Sequence, residues 1–209
     1  MQKNRLKLKI YKTIFNMLLV VAIVVICMIA YKYICEYMNE KESKKTIETF
    51  SNIAFSDSED SESTGESKKQ LEYKGYKVIG IVKIPKIHIE YPILEIENID
   101  PENAKEPMKI SIIKYWGEKV NDYGNLSIAG HNNKSGTMFG KTKNLNKGDI
   151  IELTDLEGKT IQYEIYDIFK TSPDDISIML PKDEKIREVT LITCTNGNKQ
   201  RLVLKAKEI

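Results

Sequence analysis

An uncharged apolar segment near the N-terminus places the strongest constraint on how this chain can fold. Residues 13–31 carry no charged side chain, and residues 17–26 read MLLVVAIVVI. At about 1.5 Å rise per residue, a helix over this segment is roughly 28 Å long, close to the hydrocarbon thickness of a bilayer. We therefore predict a transmembrane signal anchor over residues 13–35.

The charges that flank this segment predict its orientation. The basic residues before it are Lys3, Arg5, Lys7, Lys9 and Lys12, and the first acidic residue is Glu36. Because basic flanks remain in the cytoplasm, residues 1–12 are predicted to be a cytoplasmic tail of a single-pass protein of the cell membrane, with the remainder extracellular. A cleaved signal peptide is the alternative, but the bulky Tyr31-Lys32-Tyr33 after Ala30 does not resemble a small-residue cleavage site.

A polar region separates this anchor from the rest of the chain. Residues 36–50 are charged and helix-like, and residues 56–67 are almost entirely Ser, Asp and Glu. Such a run has too few apolar side chains to offset the entropy of ordering. We predict an extracellular tether over residues 36–70.

Charge and cysteine content exclude several classes of protein. Lys and Arg total 32 against 30 Asp and Glu, a net charge of +2, which does not suit a chain that binds nucleic acid along its length. The cysteines Cys27, Cys35 and Cys194 are too few for a disulfide framework. With only two histidines and no Cys-x-x-Cys motif, the sequence also predicts no metal site. Cys27 and Cys35 lie in or beside the apolar segment and are assigned no chemistry.

Residues 71–209 show the pattern of a mainly β domain. Short runs rich in Ile, Val, Leu, Tyr and Thr recur between Pro, Gly and Asn turn signals. The predicted strands are residues 77–84, 88–94, 125–129, 149–153, 160–169, 188–193 and 202–207. Only residues 101–115 and 141–145 suggest short helices. This pattern is typical of a β-barrel or a sandwich.

The last two strands bring a cysteine and an arginine together. The strand that ends at Cys194 is followed by the turn-forming run 195–200, and a second strand starts near Arg201. In such a hairpin Cys194 and Arg201 are near cross-strand neighbours. A nearby cation favours the nucleophilic thiolate, and a guanidinium suits a developing oxyanion.

A cysteine nucleophile also needs a group that transfers protons, and the chain offers two histidines. His88 shares the polar face of a predicted strand with Glu90, where a solvated histidine is the ordinary interpretation. His131 follows residues 125–129 at the end of a strand, with Gly130 before it, and we expect that glycine to give the backbone freedom to turn. We therefore select His131.

These motifs resemble those of the sortases, the cysteine transpeptidases of Gram-positive surfaces. The resemblance rests on Ile128-Ala129-Gly130-His131-Asn132, on Thr190-Leu191-Ile192-Thr193-Cys194 and on Arg201-Leu202-Val203, and it extends over about residues 76–209. It implies a closed eight-stranded β-barrel with short helices. The N-terminal anchor suits the same family.

The resemblance also implies a reaction and its partners. Cys194 would cleave an LPXTG-like sorting signal between Thr and Gly and form a thioester, and a peptidoglycan amine would then resolve it. His131 would act as acid and base, and Arg201 would hold the substrate backbone or the oxyanion. Leu191 and Thr193, on the strand before Cys194, are candidate substrate contacts, although residues on such a strand are more often simply packed.

Subclass and cofactor follow from finer features. No Asp-Pro-aromatic lid precedes Tyr76, which disfavours pilus assembly, and the six-residue spacing between Cys194 and Arg201 is most similar to class D, with a class A-like enzyme as the alternative. We expect no cofactor. Asp174-Asp175 and Asp183-Glu184 are candidates for calcium, but solvated loop carboxylates are the simpler interpretation.

Two further function classes remain open at this point. A cell-wall cysteine hydrolase would use the same nucleophile with water as acceptor, although such enzymes typically place Cys before His in the chain. A catalytically silent, tethered β-domain would bind a wall component or a partner and would not need Cys194.

Overall fold

The computed structural model describes the backbone of residues 2–56, 71–97, 99–100 and 102–209. The chain divides into two compact units, residues 1–41 and residues 42–209. Most of the Ser/Asp/Glu run predicted as a mobile tether, residues 57–67, lies outside the described residues.

The first unit consists of the N-terminal part of one helix, whose residues 42–56 belong to the second unit. The helix α1 (Gln2–Ser56) contains a stretch that is long and apolar enough to cross a membrane, and none of that stretch is buried by protein. Leu18, Val20 and Val24 are each at least half exposed. A helix that is apolar on all sides without protein around it has the surface of a membrane span, so this segment fits a single-pass anchor.

Within the described residues, the second unit contains residues 42–56 of α1, nine strands and short helical segments. The strands are β1 (Glu72–Tyr73), β2 (Tyr76–Ile84), β3 (Ile89–Leu94), β4 (Ile112–Gly117), β5 (Gly124–Ala129), β6 (Ile150–Thr154), β7 (Thr160–Thr171), β8 (Arg187–Thr195) and β9 (Gln200–Glu208). The helical segments are α2 (Lys105–Ile110) and the 3-10 turns Pro85–Ile87, Thr142–Asn144 and Ile176–Met179.

Eight of these strands close into a barrel. The order is β2-β3-β4-β5-β8-β9-β7-β6, and β6 pairs with β2 to complete the circle. The pairs β3–β4 and β5–β8 are parallel, and the other pairs are antiparallel. The predicted closed eight-stranded β-barrel with short helices is therefore confirmed.

Alternate residues of the strands fill the barrel. On β8, Val189 and Leu191 belong to the main apolar core and oppose Ala206 and Leu204 of β9. All four side chains are fully buried. Because side chains alternate between the two faces of a strand, the intervening residues of β8 and β9 face outward.

A second apolar cluster covers part of the outer face. Ala129, Ile192 and Val203 belong to it, and so do Ile47 and Phe50 of α1. Phe50 is 3% exposed, and Glu42 forms an ion pair of 2.7 Å with Lys74. The packed unit thus includes residues that the sequence pattern predicts to be tether.

The structure corrects the prediction for residues 101–115. Among the described residues of this range, only Lys105–Ile110 is helical, and Ile112–Gly117 forms β4 between β3 and β5. The segment Ile112-Ile113-Lys114-Tyr115-Trp116 is rich in β-branched and aromatic residues, which favour a strand. The predicted short helix at residues 141–145 is present as the 3-10 turn Thr142–Asn144.

Candidate active site

Parallel pairing of β5 with β8 brings His131 and Cys194 to the same end of the barrel. The register pairs Ile128 with Leu191 and Ala129 with Ile192. Since the two strands run in the same direction, the residues that follow each pair advance together. His131 lies two residues beyond Ala129, and Cys194 lies two residues beyond Ile192.

Antiparallel pairing of β8 with β9 places Arg201 directly opposite Cys194. The connecting loop turns through Asn196, Gly197 and Asn198, which all have positive φ angles. Asparagine and glycine are the residues that tolerate this conformation. The hairpin predicted from the sequence is thus formed, with the predicted cross-strand partners in register.

The Cys194–Arg201 pair lies on the outer face of the barrel. Ile192 and Val203 are cross-strand partners in the outer cluster, and Cys194 and Arg201 are two residues away on the same face. Both side chains are partly exposed. The two residues are therefore neighbours on a partly exposed face, where the Arg201 guanidinium donates to the carbonyls of Asn198 at 3.2 Å and Gln200 at 3.5 Å.

Hydrogen bonds tie the segment around His131 to the cysteine strand. The Thr193 hydroxyl donates to the Gly130 carbonyl over 2.7 Å, and the Asn132 side-chain amide donates to the Cys194 carbonyl over 2.8 Å. The Phe139 N–H donates to the His131 carbonyl over 3.0 Å. His131 is therefore held by backbone and side-chain contacts on both sides.

Gly130 serves close packing rather than a special turn. It is not among the glycines with positive φ, and a Cβ at this position would lie 2.9 Å from Cδ2 of Phe139 and 3.1 Å from Cγ1 of Ile112. The expectation that Gly130 frees the backbone to turn is therefore wrong. Absence of a side chain lets Phe139 pack beneath the histidine segment.

Burial lowers the pKa of His131 below its usual value, and the positive charge of Lys109 on α2 lowers it further. Both causes disfavour the imidazolium. The imidazole is therefore mainly neutral at pH 7, a state in which one ring nitrogen can accept a proton.

The structure separates His88 from this site. His88 is exposed and ends the 3-10 turn Pro85–Ile87 with a φ of 54°, one residue before β3 begins. The far end of β3, at Leu94, pairs with Ile113 beside Ala129. The length of β3, about 20 Å, thus separates His88 from the end that carries His131.

Two residues expected to contact substrate face elsewhere. Leu191 is fully buried in the barrel core, and Thr193 is 3% exposed with its hydroxyl bonded to Gly130. Side chains alternate along β8, and Leu191 and Thr193 lie on the face that points into the barrel. Their positions therefore argue against the predicted substrate contacts. Their observed roles are packing for Leu191 and hydrogen bonding for Thr193.

The acidic residues considered for calcium have local partners. Asp175 accepts hydrogen bonds from the Ser177 N–H at 3.0 Å and from the Thr171 hydroxyl at 2.6 Å. Asp183 accepts from the Lys185 N–H at 2.9 Å. Both carboxylates organise the β7–β8 loop, and the expectation that no cofactor is needed stays a prediction.

An apolar cleft that sequence reasoning missed opens beside β4. It has a volume of about 570 Å³ and is lined by Ile96, Tyr115, Trp116 and Met179, among others. Ile96, Tyr115 and Met179 pack against the outer cluster that contains Ile192 and Val203. The signal that could have found it is the apolar and aromatic segment of β4, which the sequence pattern assigns to a helix.

Comparison with known families decides the assignment. The Sortase domain model matches residues 82–209, more than half of the chain. The chain belongs to the sortase family. Sortases are cysteine transpeptidases, and the match includes the histidine segment, the cysteine strand and the arginine strand described above.

Relatives of this sortase come from more than one class. It is 30% identical over 131 residues to Sortase A of Bacillus anthracis, a match that covers 61% of this chain and 58% of the relative. It is 31% identical over 134 residues to Sortase D of Bacillus subtilis, covering 63% of each. The chain thus spans less than two thirds of the length of these two relatives.

A solved structure extends the likeness. The Clostridium perfringens Sortase D5 transpeptidase has a TM-score of 0.61 to this sortase at 32% identity, covering 81% of this chain and 99% of that one. The barrel is therefore that of a sortase, and the N-terminal apolar helix is a candidate membrane anchor.

Proposed function

We propose that this sortase cleaves an LPXTG-like sorting signal between Thr and Gly and transfers the upstream protein to a peptidoglycan amine of the cell wall. The observation that carries the proposal is the Cys194–Arg201 cross-strand pair beside the tethered His131 segment, in a chain of the sortase family. Nucleophile, cation and proton carrier are the groups that acyl transfer requires.

The first half of the proposed reaction forms a thioester. The Cys194 sulfur, as its thiolate, attacks the carbonyl carbon of the substrate threonine. The guanidinium of Arg201 stabilises the charge that develops on the carbonyl oxygen. The Thr–Gly carbon–nitrogen bond then breaks, and His131, protonated by the Cys194 thiol when the thiolate forms, gives that proton to the departing glycine amine.

The second half transfers the acyl group. The neutral His131 takes a proton from the incoming amine as its nitrogen attacks the thioester carbonyl. The carbon–sulfur bond breaks, an amide forms, and Cys194 leaves as a thiolate. The neutral state that burial and Lys109 favour suits this base role.

The apolar cleft is the proposed binding place of the sorting signal. Trp116 is 59% exposed there, and Lys114 and Asp100 supply polar atoms at the cleft. A mainly apolar cleft with a few polar groups is the usual form of a ligand site. Ile96, Tyr115 and Met179 of its lining pack against the outer cluster that contains Ile192, two residues before Cys194, so the proposed peptide would extend from the cleft along β8 to the nucleophile.

We propose class D for this sortase, with a class A-like housekeeping role as the alternative, since relatives of both classes are similar to it.

The proposed topology has residues 1–12 in the cytoplasm and the barrel outside the cell, at the membrane surface where sorting signals and wall precursors meet.

The proposal is tested with the full-length protein in detergent micelles and a quenched fluorescent LPXTG-type peptide, with and without triglycine. We expect cleavage that triglycine accelerates, a new amide product, and loss of both in Cys194→Ala. Cys35→Ala is the matched control and keeps full turnover. Cleavage by Cys194→Ala would contradict the mechanism, and acid as the sole product at high triglycine would favour the hydrolase.

A further inference from the structure

The hydrogen-bond ladder between β5 and β8 ends at the proposed active site. Its last main-chain bond runs from the Gly130 N–H to the Ile192 carbonyl, over 3.2 Å. On a strand, carbonyls two residues apart point to the same side, so the Cys194 carbonyl also points toward the chain that follows β5. A continuing parallel ladder would place the backbone N–H of Asn132 there.

The side chain of Asn132 takes the place of that backbone donor. Its Nδ2 donates to the Cys194 carbonyl over 2.8 Å, which supplies the next bond of the ladder. The backbone of this segment is engaged elsewhere, because the His131 carbonyl accepts from Phe139 and Asn132 pairs with Met138. The main chain can therefore leave the sheet at His131 without losing its connection to Cys194.

Two hydrogen bonds join β8 to the residues on either side of His131, Gly130 and Asn132. Thr193, next to the cysteine, donates its hydroxyl to the carbonyl of Gly130, and Asn132, next to the histidine, donates its amide to the carbonyl of Cys194. The Thr193 bond is buried, whereas Asn132 is exposed. Removal of the Asn132 amide thus opens no cavity in the core.

We propose that Asn132 is a positioning residue that fixes His131 relative to Cys194. This proposal rests on the proposed function, in which the two side chains act in one reaction. Asn132 contacts the carbonyl of the nucleophile and is adjacent in sequence to the proton carrier. Small displacements of such groups reduce rates strongly even where binding is unchanged.

The first test compares three variants of the full-length protein in the peptide assay. Asn132→Ala removes the donor, and Asn132→Asp places a carboxylate oxygen against the Cys194 carbonyl. Asn133→Ala is the matched control, because its amide bonds to Thr137 within the same loop and does not reach β8. We expect about tenfold lower kcat in Asn132→Ala with KM within about twofold, a loss at least as large in Asn132→Asp, and near wild-type kcat in Asn133→Ala.

A second measurement does not depend on the sorting motif. The rate of Cys194 alkylation by iodoacetamide is followed against pH by peptide-resolved mass spectrometry, with Cys35 of the same chain as internal reference. Lys109 and Arg201 are retained in every variant. We expect the wild-type profile to differ from that of His131→Ala, and the Asn132→Ala profile to move toward the His131→Ala profile.

The outcomes separate the two proposals. A wild-type alkylation profile in Asn132→Ala, or no difference between wild type and His131→Ala, would overturn the positioning role. Equal loss of kcat in Asn132→Ala and Asn133→Ala would also overturn it, since general loosening of the loop would explain both. Absence of any peptide cleavage by the wild type would count against the proposed function alone, and the alkylation profiles would still decide the role of Asn132.

Discussion

Cys194 on β8 and Arg201 on β9 are direct partners in an antiparallel pair, on the outer face of a closed barrel. The pair is held by strands rather than by a loop, since the ladder from Glu188↔Lys207 to Thr195↔Gln200 is continuous. Groups fixed on strands keep their geometry without ordering cost at the time of reaction. This geometry leads to the first prediction.

Substitutions of Arg201 should separate the contribution of its positive charge from that of its planar set of hydrogen-bond donors. We expect Arg201→Ala to lower kcat/KM by about 100-fold or more, as for other losses of an oxyanion donor. Arg201→Lys keeps the charge but not the planar set of donors and should recover only part of the loss. The measurement is steady-state cleavage of the LPXTG-type peptide.

The control for Arg201 is Lys199→Ala, which removes an exposed cation from the same hairpin loop. It should leave kcat/KM within about twofold of wild type, because an exposed loop charge is screened. Equal losses in Arg201→Ala and Lys199→Ala would point to the loop's net charge rather than to a specific guanidinium.

The titration of His131 provides a second prediction. Its pKa should lie below 6.5 in the folded protein, because burial and Lys109 both disfavour the charged form. Lys109→Gln should raise this pKa but leave it below 6.5, since burial is the larger cause. Proton NMR of the imidazole against pH measures both values, and a pKa above 6.5 in the wild type would contradict the account.

The same shift predicts a pH dependence of stability. With a lowered folded pKa, the unfolded chain binds the proton more readily, so stability is fully present above pH 6.5 and is lost as pH falls through the folded pKa. We expect the free energy of unfolding of His131→Asn to decrease less than that of wild type across this range. Urea unfolding at about pH 7.5 and about pH 5 tests this, and parallel decreases in both proteins would contradict it.

Much of the barrel could be predicted from the sequence because its strands carry the signal locally. Residues 160–169 and 188–193 are rich in β-branched and aromatic residues, and the turn at Asn196-Gly197 sets the register of the hairpin that contains Cys194 and Arg201. The cysteine and arginine could therefore be paired from the sequence alone. His131 could be chosen over His88 from its place at the end of a strand.

Other features depend on tertiary contacts that have no local signature. Residues 112–116 carry a strand signal, but they follow α2 closely, and the pairing of β4 with β3 and β5 fixes where the helix ends. Leu191 and Thr193 lie close to Cys194 in the sequence, which suggests that they are accessible to substrate. Side chains alternate along β8, however, and these two point into the barrel. The bond from Asn132 to Cys194 joins residues 62 positions apart, which the sequence alone does not relate.

The packing of residues 42–56 of α1 on the barrel, within the second unit, gives a further prediction. Phe50 is 3% exposed in the outer cluster, so Phe50→Ala should destabilise the second unit by about 3 kcal/mol through lost burial and a cavity. Thermal unfolding of the full-length protein measures the shift in Tm. Glu48→Ala, at an exposed position of the same helix, is the control, and equal Tm values for the two variants would show that this packing does not stabilise the barrel.

A buried asparagine just before β5 gives a further prediction. Asn121 is 6% exposed with a φ of 65°; its amide donates to Asp155 at 3.0 Å, and its side-chain oxygen accepts from the Tyr163 hydroxyl at 3.0 Å. Asn121→Ala should cost about 2–4 kcal/mol, because it leaves buried polar groups unpaired and places alanine in the left-handed region.

A double-mutant cycle with Tyr163→Phe separates the Asn121 effects. In a Tyr163→Phe background, Asn121→Ala should reduce the free energy of unfolding by less, because the tyrosine hydroxyl that it would leave unpaired is already absent. Additive changes in the urea midpoint would show that the Asn121–Tyr163 bond contributes nothing to stability.

The covalent intermediate on Cys194 provides the most direct test of the proposed function. The full-length protein is incubated with an LPXTG-type peptide without an amine, quenched in acid, digested and mapped by mass spectrometry. We predict a peptidyl thioester on Cys194, and on neither Cys27 nor Cys35, which disappears when triglycine is added and is replaced by the amide product. Cleavage of the peptide with no adduct on Cys194, or an adduct that triglycine does not discharge, would contradict the account.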